Sequence, residues 1–195
     1  MDSARAYELH ARKFLEARDR SRVGAEIVAQ WAGSLAPGTE VVEIACGGGY
    51  PVTRALVQSG LSVWAIDASP TLLRTFRSRF PDIPTRCSSV LDSDYFERKF
   101  GASIAIGLIF LLEDSEQTAM LLRVSEILLP GGRFLFTAPV DVGTWQDVTT
   151  GRECRSLGRH GYLKAMNEAG FRLVGTHVDE GENHYYEAEK VNGPA

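Results

Sequence analysis

Glu40-Val41-Val42-Glu43-Ile44-Ala45 is a short run rich in β-branched residues, and it stops at the consecutive glycines Gly47-Gly48-Gly49. Pro51 to Gln58 then carries Val52, Ala55 and Leu56 on helical spacing. Strand, glycine turn and helix in that order constrain the chain strongly. A strand buried enough to be this apolar needs neighbours on both sides and helices on its faces.

The rest of the chain supplies them. Leu61 to Ile66 reads as a second strand ended by Asp67. Ser69-Pro70 opens a helix, with Ser as the cap and Pro in the first turn, and Leu72, Leu73, Phe76 and Phe80 form its buried stripe. A weak strand is expected at Thr85 to Cys87, and a buried one from Ala102 to Leu112. Ser115 to Leu129 reads as a helix closed by Pro130-Gly131-Gly132, followed by a strand from Arg133 to Ala138. Val140 to Arg155 reads as a polar stretch and Leu157 to Ala169 as a helix. Phe171 to Val178 and His184 to Lys190 read as an antiparallel hairpin. Before the glycine turn, the first ~35 residues read as helical, with Val23, Ile27, Trp31 and Leu35 on one face.

The expected fold class is therefore α/β: a doubly wound, mostly parallel sheet with an antiparallel last strand and N-terminal helices capping one end. A single domain is expected over 1–195, with a helical cap over 1–36 and a Rossmann-like core over 37–195. The length of 195 residues, 44% apolar and 24% charged, fits one globular domain. The net charge of -4 argues against nucleic acid as the main partner. Cys46, Cys87 and Cys154 make no CxxC pair, so no metal site or disulfide framework is expected. No apolar run approaches the ~20 residues of a membrane span. A soluble cytoplasmic protein, monomer or homodimer, without a membrane or nucleic-acid partner, is the expectation.

Ligands of such sheets bind beyond the carboxyl ends of the strands. There, the glycine turn brings a ligand close to the backbone and offers the free N–H groups of a helix start. Nicotinamide enzymes hold a pyrophosphate on this turn but need a further glycine, G-x-G-x-x-G, which Gly47-Gly48-Gly49-Tyr50-Pro51-Val52 lacks. Instead, Glu43 precedes the turn. An acid there suits a cationic ligand. Asp67, at the end of the next strand, can accept from ribose hydroxyls or simply cap the following helix.

Glu43-x-Ala45-x-Gly47-x-Gly49 resembles the acid-x-Gly-x-Gly-x-Gly motif of class I S-adenosylmethionine-dependent methyltransferases, with Ala45 in place of the first glycine. Pro130-Gly131-Gly132-Arg133-Phe134 is similar to that family's turn into its fifth strand. The resemblance covers roughly Val23 to Lys190 and implies a seven-stranded sheet with S-adenosylmethionine as cofactor and S-adenosylhomocysteine as product. It implies that Ala45, Cys46, Gly47 and Gly49 pack on the methionine part and that Glu43 orients the turn and the amino group. It further implies that Asp67 binds the ribose, Ala68 and the Ser89-Val90 segment meet the adenine, and Gly107 and Leu108 face the methionine moiety. The adenine-binding acid usual after the third strand is absent at Ser89, with Asp92 as a substitute.

Substrate residues are expected from whatever covers the strand ends: His10, Phe14 and Arg18 from the N-terminal helix, Trp145 from the polar stretch, and His177, His184 and Tyr185 from the hairpin. His184 is the candidate general base. The acids Asp141, Asp147, Asp179, Glu180 and Glu182 form either a solvated rim or a preference for cationic substrates. Gly107-Leu108-Ile109-Phe110 is unlike the Asn/Asp-Pro-Pro-aromatic signature of base methyltransferases. A small-molecule acceptor, methylated at oxygen, nitrogen or sulfur, is expected. The alternatives are a non-catalytic S-adenosylmethionine-binding regulator and an NAD(P)-dependent reductase.

Overall fold

A computed structural model describes residues 3–191, with side chains from Ala6 onward. Met1, Asp2 and residues 192–195, the two ends of the expected 1–195 domain, lie outside the described residues.

The chain opens with α1 (Ser3–Arg20) and α2 (Ala25–Gly33). The helical spacing at Val23 belongs to the connection between them, which turns at Gly24 with φ +79°. The core then alternates: β1 (Glu40–Ile44), α3 (Val52–Gln58), β2 (Ser62–Asp67), α4 (Pro70–Arg79), β3 (Thr85–Cys87), β4 (Phe100–Ala105), α5 (Asp114–Ile127) and β5 (Leu128–Thr137). A small hairpin, β6 (Val142–Gln146) and β7 (Glu153–Leu157), precedes α6 (Gly158–Glu168), β8 (Phe171–Val178) and β9 (His184–Lys190).

The main sheet has seven strands in the order β3-β2-β1-β4-β5-β9-β8. All pairs from β3 to β5 are parallel, while β9 runs antiparallel to both β5 and β8. The direction of winding reverses between β1 and β4, the place where a crevice opens at the strand ends. Alternate residues of the central strands feed two cores. Val42, Ile44, Phe134 and Phe136 face α5 and α6, while Val41, Leu135 and Tyr185 face α2 and α3. Phe136 stacks on Phe134 and Tyr186 with centroids 5.0 and 5.3 Å apart. Truncating such a ring costs about 3–5 kcal/mol.

Two expected elements take a different form. The strand expected to run to Leu112 ends at Ala105, because Gly107 turns the chain at φ +72° and Ile109–Leu111 closes into a single 3₁₀ turn. The buried Ile109 keeps the apolar run going without the strand. The polar stretch 140–155 pairs with itself as β6 and β7. All residues of β6 are exposed, so no alternating apolar face announces it.

Tyr95, Phe96 and Glu97 are all left-handed, with φ of 48°, 57° and 55°. Such a conformation costs an L-residue roughly 1–2 kcal/mol. Glu97 is exposed, so Glu97→Gly relieves strain without removing packing. Part of that gain is offset by the freedom glycine adds to the unfolded chain. Urea unfolding should show a net stabilisation of roughly 0.5–1 kcal/mol.

Candidate functional site

The site begins with the helix that follows β2. Ser69 caps α4 by accepting from the Leu72 N–H at 3.1 Å. Asp67, just before it, accepts from the Ser69 N–H and, across the crevice, from the Gly47 N–H, each at 2.8 Å. One carboxylate thus ties the end of β2 to the glycine turn after β1. Burial pushes the Asp67 carboxyl above its ordinary range, against the opposing bonds from Ser69 and Gly47.

Glu43 lies beneath the same turn and is fully buried, with Thr53 Oγ1 donating to its Oε2 at 2.5 Å. Burial raises its pKa to about 8, despite the Thr53 bond and the charge of Arg18.

The glycines serve the protein's own packing as well as any ligand. A Cβ on Gly47 would stand 3.0 Å from the Phe14 ring, and one on Gly49 2.5 Å from the Phe80 ring. Helix α1 therefore lies directly on the turn. It is anchored at both ends. Near its start, Glu8 accepts from the Thr71 N–H at 3.1 Å and from Thr71 Oγ1 at 2.6 Å, and the Ser69 hydroxyl donates to the same carboxylate. That places an anion on the N-terminus of α4. Burial would raise the Glu8 carboxyl, but these bonds outweigh it and hold it below its ordinary value. Near the other end of α1, Arg79 forks onto Asp19 at 2.8 and 2.6 Å and also donates to the Gly48 carbonyl at 3.1 Å.

Under α1, at the carboxyl ends of the strands, is a cavity of about 330 Å³, within the ~300–1,000 Å³ range of small-molecule sites. It is lined by Ala45, Gly47, Asp67, Ala68, Ser89, Val90, Gly107 and Leu108, so most of the expected cofactor residues meet in one place. Glu43 and Cys46 stand behind the turn and line a smaller adjoining recess with Arg18 and Ala45. Gly49 turns away towards Phe80. Asp92 accepts from the Ser89 hydroxyl at 2.6 Å and reaches the cavity only through it.

Of the expected substrate residues, Phe14, Arg18 and Tyr185 line the cavity. The others do not. Trp145 packs behind Phe110, with centroids 5.6 Å apart. His10 bonds within its own helix to the Ala6 carbonyl at 2.9 Å. His177 sits one strand further out, 3.2 Å from Glu187. His184, the candidate base, directly precedes Tyr185 on β9. Alternation along the strand turns it to the opposite face from Tyr185, and it is not part of the lining.

Residues not singled out from the sequence complete the wall. Tyr7 of α1 donates to Asp147 at 3.2 Å, joining the helix to the tip of the β6–β7 hairpin. Val148 and Thr149 of that tip also line the cavity. Asp179 and Asn183 come from the β8–β9 tip, and Tyr185 donates to Asp179 at 2.8 Å. Of the acids read as a rim, Asp147 and Asp179 are buried while Asp141, Glu180 and Glu182 are exposed. Burial, and then the Asp147 and Asp179 carboxylates, push the Tyr7 and Tyr185 phenols above their ordinary values. Both stay protonated near neutrality and act as donors, not as bases. Among the described residues no group of His, Cys, Asp and Glu is placed to hold a metal ion. No described helix is long and apolar enough to cross a membrane.

Residues 41–132, the segment carrying the glycine turn, Asp67 and Gly107, match the model of the methyltransferase domain family. That match supports the resemblance to class I S-adenosylmethionine-dependent methyltransferases read from the sequence. The chain is 25% identical over 167 residues to an uncharacterized methyltransferase of Synechocystis, covering 76% of this chain and 74% of that one. Its fold is similar to the CcbJ methyltransferase from Streptomyces caelestis, at TM-score 0.72 and 18% identity over 87% of this chain and 90% of that one. It is also similar to magnesium protoporphyrin IX methyltransferase from Synechocystis, at TM-score 0.68 and 16% identity over 85% and 77% of the two chains. At these identities the structural likeness speaks for the fold.

Proposed function

We propose that this protein is a class I S-adenosylmethionine-dependent methyltransferase that moves the methyl group of S-adenosylmethionine to an oxygen, nitrogen or sulfur atom of a small organic acceptor. The reading is carried by the single cavity in which Ala45, Gly47, Asp67, Ala68, Ser89, Val90, Gly107 and Leu108 converge. The residues present fit the cofactor. Asp67 uses two acceptor positions on backbone N–H groups and, as a carboxylate, keeps others for hydroxyl donors. A Cβ on Gly107 would meet no protein atom within 4 Å, so the wall is open where the resemblance puts the methionine moiety. The cofactor of the relatives crystallised with S-adenosylmethionine and S-adenosylhomocysteine supports the same reading.

S-adenosylmethionine supplies an electrophilic methyl group on a sulfonium centre. The protein's task is to align the acceptor with it and keep water out, and alignment alone can contribute about 7–11 kcal/mol. Asp67 and the glycine turn fix one partner. Helix α1 covers the cavity through Tyr7, Phe14 and Arg18. Phe110, Leu111, Leu112 and Val148 offer an apolar surface to the acceptor, with Asp147 beside it. The Tyr7 and Tyr185 oxygens, whose protons go to Asp147 and Asp179, can position a polar group by accepting from it. On the acceptor side the lining carboxylates Asp147 and Asp179 already accept from Tyr7 and Tyr185, which suits an acceptor that arrives unprotonated or loses its proton to water.

Calorimetry with S-adenosylmethionine, S-adenosylhomocysteine and NADH, then product detection with methyl-labelled cofactor on a metabolite panel, tests this. Binding of the methionine nucleosides with labelled product is the expected result. NADH binding alone would overturn it, and binding without any product would leave a regulatory binder.

A further inference from the structure

We infer that Arg18 receives the carboxylate at the amino-acid end of the cofactor, an assignment that rests on the cofactor reading above. Arg18 is the only cationic side chain among the described residues lining the cavity, where the other charged groups are Asp67, Asp147 and Asp179. It also lines the adjoining recess with Glu43, Ala45 and Cys46. It therefore stands where the glycine turn, on the side away from Ser89 and Val90, faces the ligand. Its one described hydrogen bond runs from Nη1 to the Val23 carbonyl at 3.3 Å, which leaves most of its N–H donors for another partner. Glu43 and Asp179 act on it through the field, and among the described residues no carboxylate forms an ion pair with it.

The ligand side of the argument is chemical. S-adenosylmethionine and S-adenosylhomocysteine carry one anionic group, the carboxylate, and it sits at the end opposite the adenine. With Asp67 placed for the ribose and Ser89 and Val90 beyond it, a ligand lying along the strand ends brings that carboxylate towards Arg18. Guanidinium and carboxylate match in planar, charge-assisted geometry. Arg18 belongs to α1, which Glu8 and Asp19 pin to α4 at both ends. The covering helix is then also a recognition element, and an anionic acceptor finds no cation left in the described lining.

The test is calorimetric. The probes are S-adenosylhomocysteine, its decarboxylated analogue, which keeps the amino group, and 5′-methylthioadenosine, which lacks the amino-acid end altogether. The wild-type protein should prefer S-adenosylhomocysteine over the decarboxylated analogue by about ten- to a hundred-fold. Arg18→Gln should erase that preference, Arg18→Lys should keep part of it, and both should bind 5′-methylthioadenosine as the wild type does. Equal wild-type affinity for the first two ligands would overturn the assignment. So would an equal loss for all three ligands in Arg18→Gln, which would make Arg18 a purely structural residue. If the wild type binds none of the three, the cofactor reading itself fails and the assignment with it.

Discussion

Asp67→Ala should remove S-adenosylhomocysteine binding almost completely while leaving a folded but weakened protein. Two separate roles are lost together. As a ligand partner, the carboxylate is placed to accept from ribose hydroxyls at the end of the second strand. Hydrogen bonds to a charged group contribute about 1.5–3 kcal/mol each, so losing a pair lowers affinity by at least about a hundred-fold. As a structural partner, it leaves the Gly47 and Ser69 N–H groups unsatisfied, which costs on the order of 2–4 kcal/mol of stability. Calorimetry and urea unfolding on the same variant separate the two. The ribose is common to all three probes of Arg18, so Asp67→Ala should lower affinity for 5′-methylthioadenosine as well, which Arg18→Gln should not. An affinity within about three-fold of the wild type would leave Asp67 as a structural tie between Ser69 and Gly47 and nothing more.

That double role shows what a sequence can and cannot reveal. The glycine turn, Asp67 and Gly107 were legible because each is a local signal: a β-branched run followed by a special backbone position. The β8–β9 hairpin was legible because its strands flank a short polar turn. Its tip falls on the cavity side because β8 runs the same way as β1. The choice of His184 over Tyr185 turned on a single step along β9, and a step of one exchanges the faces of a strand. Nothing local decides that; the pairing of Tyr185 with Thr137 does. The Tyr7–Asp147 contact joins residues 140 apart, one on a charged amphipathic helix and one just past β6, a strand exposed along its whole length. Neither end carries a pattern that announces the other. Likewise, Arg79 looks like any basic residue at a helix end, and only the docking of α1 shows it clamped between Asp19 and the glycine turn.

Glu43 should make the unliganded protein lose stability as the pH rises towards 8. Its carboxyl is buried, with Thr53 as its hydrogen-bond donor and Arg18 and Asp67 as the charges that act on it, and its pKa stands at about 8 against an ordinary 4.5. Below 4.5 both folded and unfolded chains hold the proton, and the group contributes no pH dependence. Between 4.5 and 8 the unfolded chain releases it while the folded chain keeps it, so the unfolded state binds fewer protons and stability falls with pH. Above about 8 both states are ionised and the slope ends. At about 1.4 kcal/mol per pH unit, the loss across that window is on the order of 5 kcal/mol. Asp67, raised in the same direction by burial, adds to the slope at its acid end. Glu43→Gln keeps the acceptor for Thr53 without the charge. It should flatten the profile between pH 6 and 8 and exceed the wild type in stability at pH 8.5, as read by urea unfolding across the range. A wild-type profile that is already flat there would mean that Glu43 is ionised in the folded protein, with Arg18 as its countercharge. In that case Arg18→Gln should introduce the missing slope, which ties the buried acid beneath the turn to the cation above it.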